Sequence, residues 1–265
     1  MEAAVFQPFL DSIQKELQAQ DPAVLAVLVA LVVVIISIIF MKIVWGRKTT
    51  RSAVLLVGLC DSGKTLIFSR LLSGKFKKTQ TSITDSSAIY NVKSEKVTSQ
   101  TKGRGFTLID LPGHESLRPQ FVERFKSAAR AVVFVVDSAV FQKELRDVAE
   151  FLYSLLTDAE IVKNAPALVV TCNKQDITMA KSAKVIQQQL EKELNTLRVT
   201  RTAALSTQDG STAGGTVYLG KKGKDFEFSQ LPMKVEFVEC SAKGYKAEDG
   251  EADIEQLEKC LARIS

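Results

Sequence analysis

The eight residues Gly58, Leu59, Cys60, Asp61, Ser62, Gly63, Lys64 and Thr65 spell GLCDSGKT and fit the pattern GxxxxGK[ST]. They stand directly after a β-rich run, AVLLVG at 53–58, and directly before a stretch from Lys64 to Leu72 that reads as a helix. A strand, a glycine loop and a helix in that order leave few folds open. Glycines at 58 and 63 let the main chain curl round a phosphate, so that loop N–H groups and the helix start, through Leu66, face the charge. Lys64 is then placed to bridge the β- and γ-phosphates, and the Thr65 hydroxyl to bind Mg2+.

The residues that follow alternate in the same manner. A hairpin is expected from Ser87–Lys93 and Gly105–Asp110, then buried strands at Ala131–Asp137 and Ala167–Thr171, and a last strand at Lys234–Glu239. Between them, Leu145, Val148, Leu152 and Leu155 recur at helical spacing, a helix is expected from Ser182 to Thr196, and Ile254, Leu257, Leu261 and Ile264 share a face near the end. Strands alternating with helices predict an α/β domain: a mostly parallel six-stranded sheet, helices on both faces, one antiparallel edge from the hairpin. The stretch Arg198–Leu231, with STQDGSTAGG and KKGKD, breaks the rhythm and reads as a flexible surface insertion. The chain is 46% hydrophobic, which excludes disorder, and its 35 basic and 30 acidic residues are too even for nucleic-acid binding. Cys60, Cys172, Cys240 and Cys260 form no CxxC pair, so reduced thiols in a cytosol-facing domain fit better than a disulfide or metal framework.

Three further motifs end three of these strands. Asp110-Leu-Pro-Gly113-His114 places a carboxylate for Mg2+ and a glycine whose N–H can approach a γ-phosphate closely. Asn173-Lys174-Gln175-Asp176 offers a carboxylate that can accept from both N1–H and N2–H of guanine, which adenine cannot supply. Asn173 is expected to brace the loop and approach guanine N7, with the Lys174 stem along the base. In Ser241-Ala242-Lys243 the Ala242 N–H is expected at guanine O6 and Lys243 over the ring. The cofactors implied are GTP and Mg2+.

Ahead of all this lies a run from Ala23 to Met41 in which Ser37 is the only polar residue, continued by Ile43, Val44 and Trp45 past Lys42. A helix over 23–45 would measure roughly 34 Å against a hydrocarbon core of about 30 Å. Its Leu, Ile, Val and Phe residues favour insertion by about 5–10 kcal/mol in sum, an upper bound. The run is too long for a signal peptide and its upstream flank carries Asp11, Glu16 and Asp21. Lys42, Arg47, Lys48 and Arg51 follow it, so the positive-inside rule places the C-terminal side in the cytosol. The expected layout is a short lumenal tail (1–22), a transmembrane helix (23–45), a basic stalk (46–52) and a phosphate-loop domain (53–265) with its insertion at 198–231.

The four motifs in order resemble the Ras-like small GTPases over roughly Ser52 to the C-terminus, nearest to the Arf/Sar branch. With GLCDSGKT, TQTSIT (Thr79–Thr84), DLPGHESLR and the N-terminal span, the chain is similar to the family of signal recognition particle receptor beta subunits. The resemblance implies a Ras-like GTPase fold, the endoplasmic reticulum membrane, and a heterodimer with the receptor alpha subunit, which docks on the GTP-bound form; a contact with ribosome or translocon stays open. It also implies a first switch segment in which Thr79, Gln80, Thr81 and Ser82 approach the nucleotide. Thr81 is chosen as Mg2+ ligand by its distance from Lys64, with Thr84 the alternative. His114 stands where Ras-like enzymes keep a water-orienting glutamine, and it is assigned a role near the attacking water. With no arginine placed to reach the phosphates in cis, hydrolysis is expected to be slow and partner-stimulated. The alternatives are a constitutive docking subunit with GTP as a structural ligand, and a trafficking GTPase of the Sar/Arf type.

Overall fold

The computed structural model describes residues 51–92, 105–207, 217–245 and 251–264, preceded by a few helical residues between Ala30 and Ser37. It divides into two units, Met1–Thr50 and Arg51–Ser265. In the first, the described residues are helical, and Leu31, Val33, Val34 and Ile35 each expose about half of their surface. No helix among the described residues is long and apolar enough to cross a membrane. The expected tail at 1–22, most of the expected span at 23–45 and the stalk at 46–50 lie outside the described residues.

The second unit is built on six strands: β1 (Ala53–Gly58), β2 (Ser86–Asn91), β3 (Gly105–Asp110), β4 (Ala129–Asp137), β5 (Ala167–Asn173) and β6 (Val235–Glu239). Their order across the sheet is β2-β3-β1-β4-β5-β6, and only the β2–β3 pair is antiparallel. The helices are α1 (Lys64–Ser73), α2 (Arg118–Phe125), α3 (Phe141–Thr157), α4 (Ala159–Asn164), α5 (Ala183–Thr207) and α6 (Glu255–Ile264). This is the predicted sheet, parallel but for its hairpin edge, with helices on both faces.

Two apolar layers follow from the period-two alternation of the central strands. In β1, Ala53, Leu55 and Val57 join one layer with Phe134, Leu152 of α3 and Leu190 of α5. Val54 and Leu56 join the other with Val133, Ile67 of α1 and Leu257 of α6. Because both faces of β1, β4 and β5 are covered, their sequences are mostly apolar.

Several boundaries differ from expectation. β5 continues to Asn173, so that the sheet itself carries the first residue of the Asn173–Asp176 motif. α4 was not foreseen; Asp158 begins it by accepting from the N–H groups of Glu160 and Ile161 while receiving Lys126 Nζ at 2.8 Å. The larger correction concerns Arg198–Leu231. Helix α5 runs to Thr207, well past Thr196, and Leu219, Phe226 and Phe228 are buried in the core. Arg198 is itself buried, and its guanidinium donates to the carbonyl oxygens of Leu219, Lys221 and Lys224. The described part of this stretch is therefore a packed element; 208–216 lie outside the described residues.

Candidate functional site

The C-terminal ends of β1, β3, β4, β5 and β6 carry Gly58, Asp110, Asp137, Asn173 and the Cys240–Lys243 turn to one edge of the sheet, the edge at which open α/β sheets bind ligands. The loop after β1 is held by its own side chains. Ser62 Oγ donates to Leu59 O at 2.9 Å, and Lys64 Nζ donates to the same carbonyl at 2.6 Å and to Ser62 Oγ at 3.4 Å. A Cβ at Gly58 would collide with the Val135 carbonyl oxygen, and one at Gly63 with the Asn173 amide. Gly63 also has φ of 91°, in the left-handed region, and no side chain caps the helix that follows it. The first-turn N–H groups of α1 are thus left for an anion.

Lys64 is buried, and burial holds its ammonium below the ordinary lysine value, with Asp110 and Cys60 opposing and Arg118 adding to the shift. Its hydrogen bonds reach neutral oxygens only, so a buried cation here suits a polyphosphate. Beside it, Thr65 Oγ1 donates to Asp110 Oδ2 at 2.7 Å and lies 2.9 Å from Ser82 Oγ. Asp110 is fully buried, its carboxyl is pushed above the usual range by that burial, and its Oδ1 has no hydrogen-bond partner. One unpaired buried carboxylate oxygen beside two hydroxyls fits a hard divalent cation with oxygen ligands. Ser82, and not Thr81 or Thr84, is the first-switch residue brought to Thr65; Thr79, Gln80, Thr81 and Thr84 are exposed. The side chain that turns inward towards Thr65 is set by the path of the loop, which sequence distance from Lys64 does not encode.

Gly113 is pressed against this centre. A Cβ there would sit 2.7 Å from Lys64 Nζ and 2.8 Å from both Cys60 N and Leu59 O, which explains the glycine without any special φ. His114 follows Gly113 directly. It is exposed, its Nδ1 accepts from Ser116 N–H at 3.4 Å, and its carbonyl accepts from the N–H groups of Leu117 and Arg118 at the start of α2. Its ring has no hydrogen bond to Lys64, Thr65 or Asp110 among the described residues.

The Asn173–Asp176 motif meets the loop after β1 through Asn173. Its Nδ2 donates to Ser62 O at 2.8 Å, and its Oδ1 accepts from Ala242 N at 3.0 Å. Asn173 thus joins the loop to the turn that carries Ala242. Ser241 Oγ donates to Asp176 Oδ1 at 2.5 Å and accepts from Gly244 N at 2.9 Å. Lys174, at φ 67°, sends its ammonium to Asp137 Oδ2 at 2.6 Å, and Asp137 Oδ1 accepts from Ala139 N at 2.9 Å. Asp137 lies in none of the four motifs, and its one signal in the sequence is an aspartate closing the apolar run AVVFVVD. Lys243 is exposed beside this turn.

A family model described as signal recognition particle receptor beta subunit matches residues 49–235. Signal recognition particle receptor subunit beta of Rattus norvegicus is 64% identical over 260 residues, covering 98% of this chain and 94% of that one. The solved structure named "The Structure of the Mammalian SRP Receptor" is 63% identical, covers 80% of this chain and 100% of its own, and superposes with a TM-score of 0.67. The Chaetomium thermophilum complex named as SRb-GTP/SRX shares the fold at a TM-score of 0.66 and 20% identity, over 80% of this chain and 99% of that one. With loops, fold and kinship in agreement, the chain belongs to the signal recognition particle receptor beta subunit family.

Proposed function

We propose that this chain is the membrane-anchored GTP-binding regulatory subunit of the signal recognition particle receptor, and that its GTP-bound form recruits the receptor alpha subunit to the endoplasmic reticulum membrane for co-translational targeting. The observation that carries the reading is Asn173, whose two bonds join Ser62 of the phosphate loop to Ala242 of the base-reading turn. One site then has a cationic end at Lys64 and a carboxylate end at Asp176. Lys64 and the N–H groups entering α1 hold the phosphates, and Asp176, steadied by Ser241, selects guanine. Thr65, Asp110 and Ser82 hold the cation. When bound, Mg2+ neutralises charge on the β- and γ-phosphates.

Gly113 and Ser82 both touch the phosphate end, so GTP orders the segments that carry them. Ile83 and Ile89, 74% and 73% exposed, lie on and beside the first of these segments and offer apolar surface to a partner. The alpha subunit docks to the extent that it prefers the ordered arrangement. SRX in the Chaetomium thermophilum complex is named beside a GTP-bound SRb, in keeping with this scheme. The apolar run at 23–45 and the basic residues after it support a single span with this domain in the cytosol. Such a span distinguishes the chain from Sar/Arf-type proteins, which leave the membrane on hydrolysis.

The test is nucleotide binding by the full chain in detergent. GTP and GDP should bind far more tightly than ATP, and Asp176→Asn should move preference towards xanthine nucleotides. Equal binding of ATP, or unchanged GTP affinity in that variant, overturns the reading. The exposed ring of His114 favours a second reading, in which GTP is a long-lived structural ligand and the chain a constitutive docking subunit. Single-turnover hydrolysis with and without the alpha subunit separates the two: cleavage accelerated by the partner supports the switch, and no cleavage in either case supports the docking subunit.

A further inference from the structure

Arg70 lies six positions after Lys64 on α1, at 4% exposure, deep between the helix and the base-reading turn. Its guanidinium donates from Nε to Ala242 O at 3.0 Å, from Nη2 to Lys243 O at 3.2 Å and from Nη1 to Gly74 O at 3.0 Å. The face of the guanidinium lies 5.6 Å from the centre of the Phe76 ring. One planar fork therefore closes the end of α1 and holds two consecutive carbonyls of the turn that follows Ser241.

We propose that Arg70 is a positioning residue for base recognition, holding the Ala242–Lys243 turn in register with the helix that carries Lys64 and Thr65. The inference rests on the nucleotide site described above and extends it to a residue outside the four motifs. The turn is fixed on its amide side by Asn173, through Ala242 N–H, and on its carbonyl side by Arg70. Asp176 is tied to the same turn through Ser241. Removing the guanidinium leaves two carbonyls without that donor at the base end, while the loop bonds at Leu59 and Ser62 and the Thr65–Asp110 bond at the phosphate end stay in place. The geometry therefore couples Arg70 to the purine and not to the phosphates.

The experiment measures GDP release, the ratio of GTP to ITP affinity, and binding of inorganic tripolyphosphate, in full-length wild type, Arg70→Ala and Arg70→Lys. ITP lacks the exocyclic amine that Asp176 reads, and tripolyphosphate lacks the base. Arg70→Ala should speed GDP release roughly ten- to hundredfold, the effect of losing one or two bonds from a charged donor, and narrow the GTP/ITP ratio. Tripolyphosphate binding should change little. Arg70→Lys, which keeps the charge but not the fork, should fall between the two and carries the test if Arg70→Ala does not fold. Unchanged GDP release, or GDP and tripolyphosphate weakened by the same factor, overturns the inference and leaves the nucleotide reading standing. A wild-type chain that binds no guanine nucleotide overturns both.

Discussion

Gly113 shows how a single residue was legible before its reason was. The motif DLPGH marks it, but the cause is steric: backbone atoms of Leu59 and Cys60 and the ammonium of Lys64 all lie within 2.8 Å of where a Cβ would be. Backbone neighbours cannot rotate away, so Gly113→Ala should cost about 1–3 kcal/mol of strain. Both the melting temperature and the preference for GTP over GDP should fall, read by calorimetry and nucleotide competition. The same scale separates Asp176, which its motif marks, from Ser82, which only the path of the loop brings to Thr65. Asp137 and Arg70 belong to no recognised string. Their importance lies in contacts 37 and 172 residues away along the chain, which no local pattern encodes.

At the scale of elements, β1, β4 and β5 were readable because both faces are buried and the strands are correspondingly apolar. Helix α5 continues past its expected end at Thr196 to Thr207. In the structure Arg198 points inward and serves three carbonyls of the segment that returns through Leu219 to Phe228. Arg198→Ala would leave those carbonyls without their donor, at a cost of about 2–4 kcal/mol. Urea unfolding should show that loss, and limited proteolysis should find new cleavage between Val217 and Leu231. An intact segment in the variant would mean that Phe226, Phe228 and Met233 anchor it alone.

Across the Arg51–Ser265 unit, burial of neutral acids makes stability depend on pH at the alkaline end. It pushes the Tyr90 hydroxyl from 10.0 to about 12, helped by Glu258, and the Cys172 thiol from 9.0 to about 12, helped by Glu239. The unfolded chain ionises these groups at the lower values while the folded chain keeps them neutral. Their contribution is therefore complete below about pH 9 and is lost as pH rises towards 12. Melting curves collected upward from neutral pH should fall over that window, and less steeply in Tyr90→Phe; an identical slope would remove Tyr90 from the account. What the sequence determined by itself was the sheet with its order of motifs, because strand periodicity and phosphate-loop glycines are local requirements that each short segment must meet alone. Only the tertiary structure decided that Ser82 reaches Thr65, that His114 faces solvent, and that Arg70 and Arg198 turn inward. Long side chains and loops settle by the carbonyls and volumes that other parts of the chain bring to them, and those exist only once the sheet has formed.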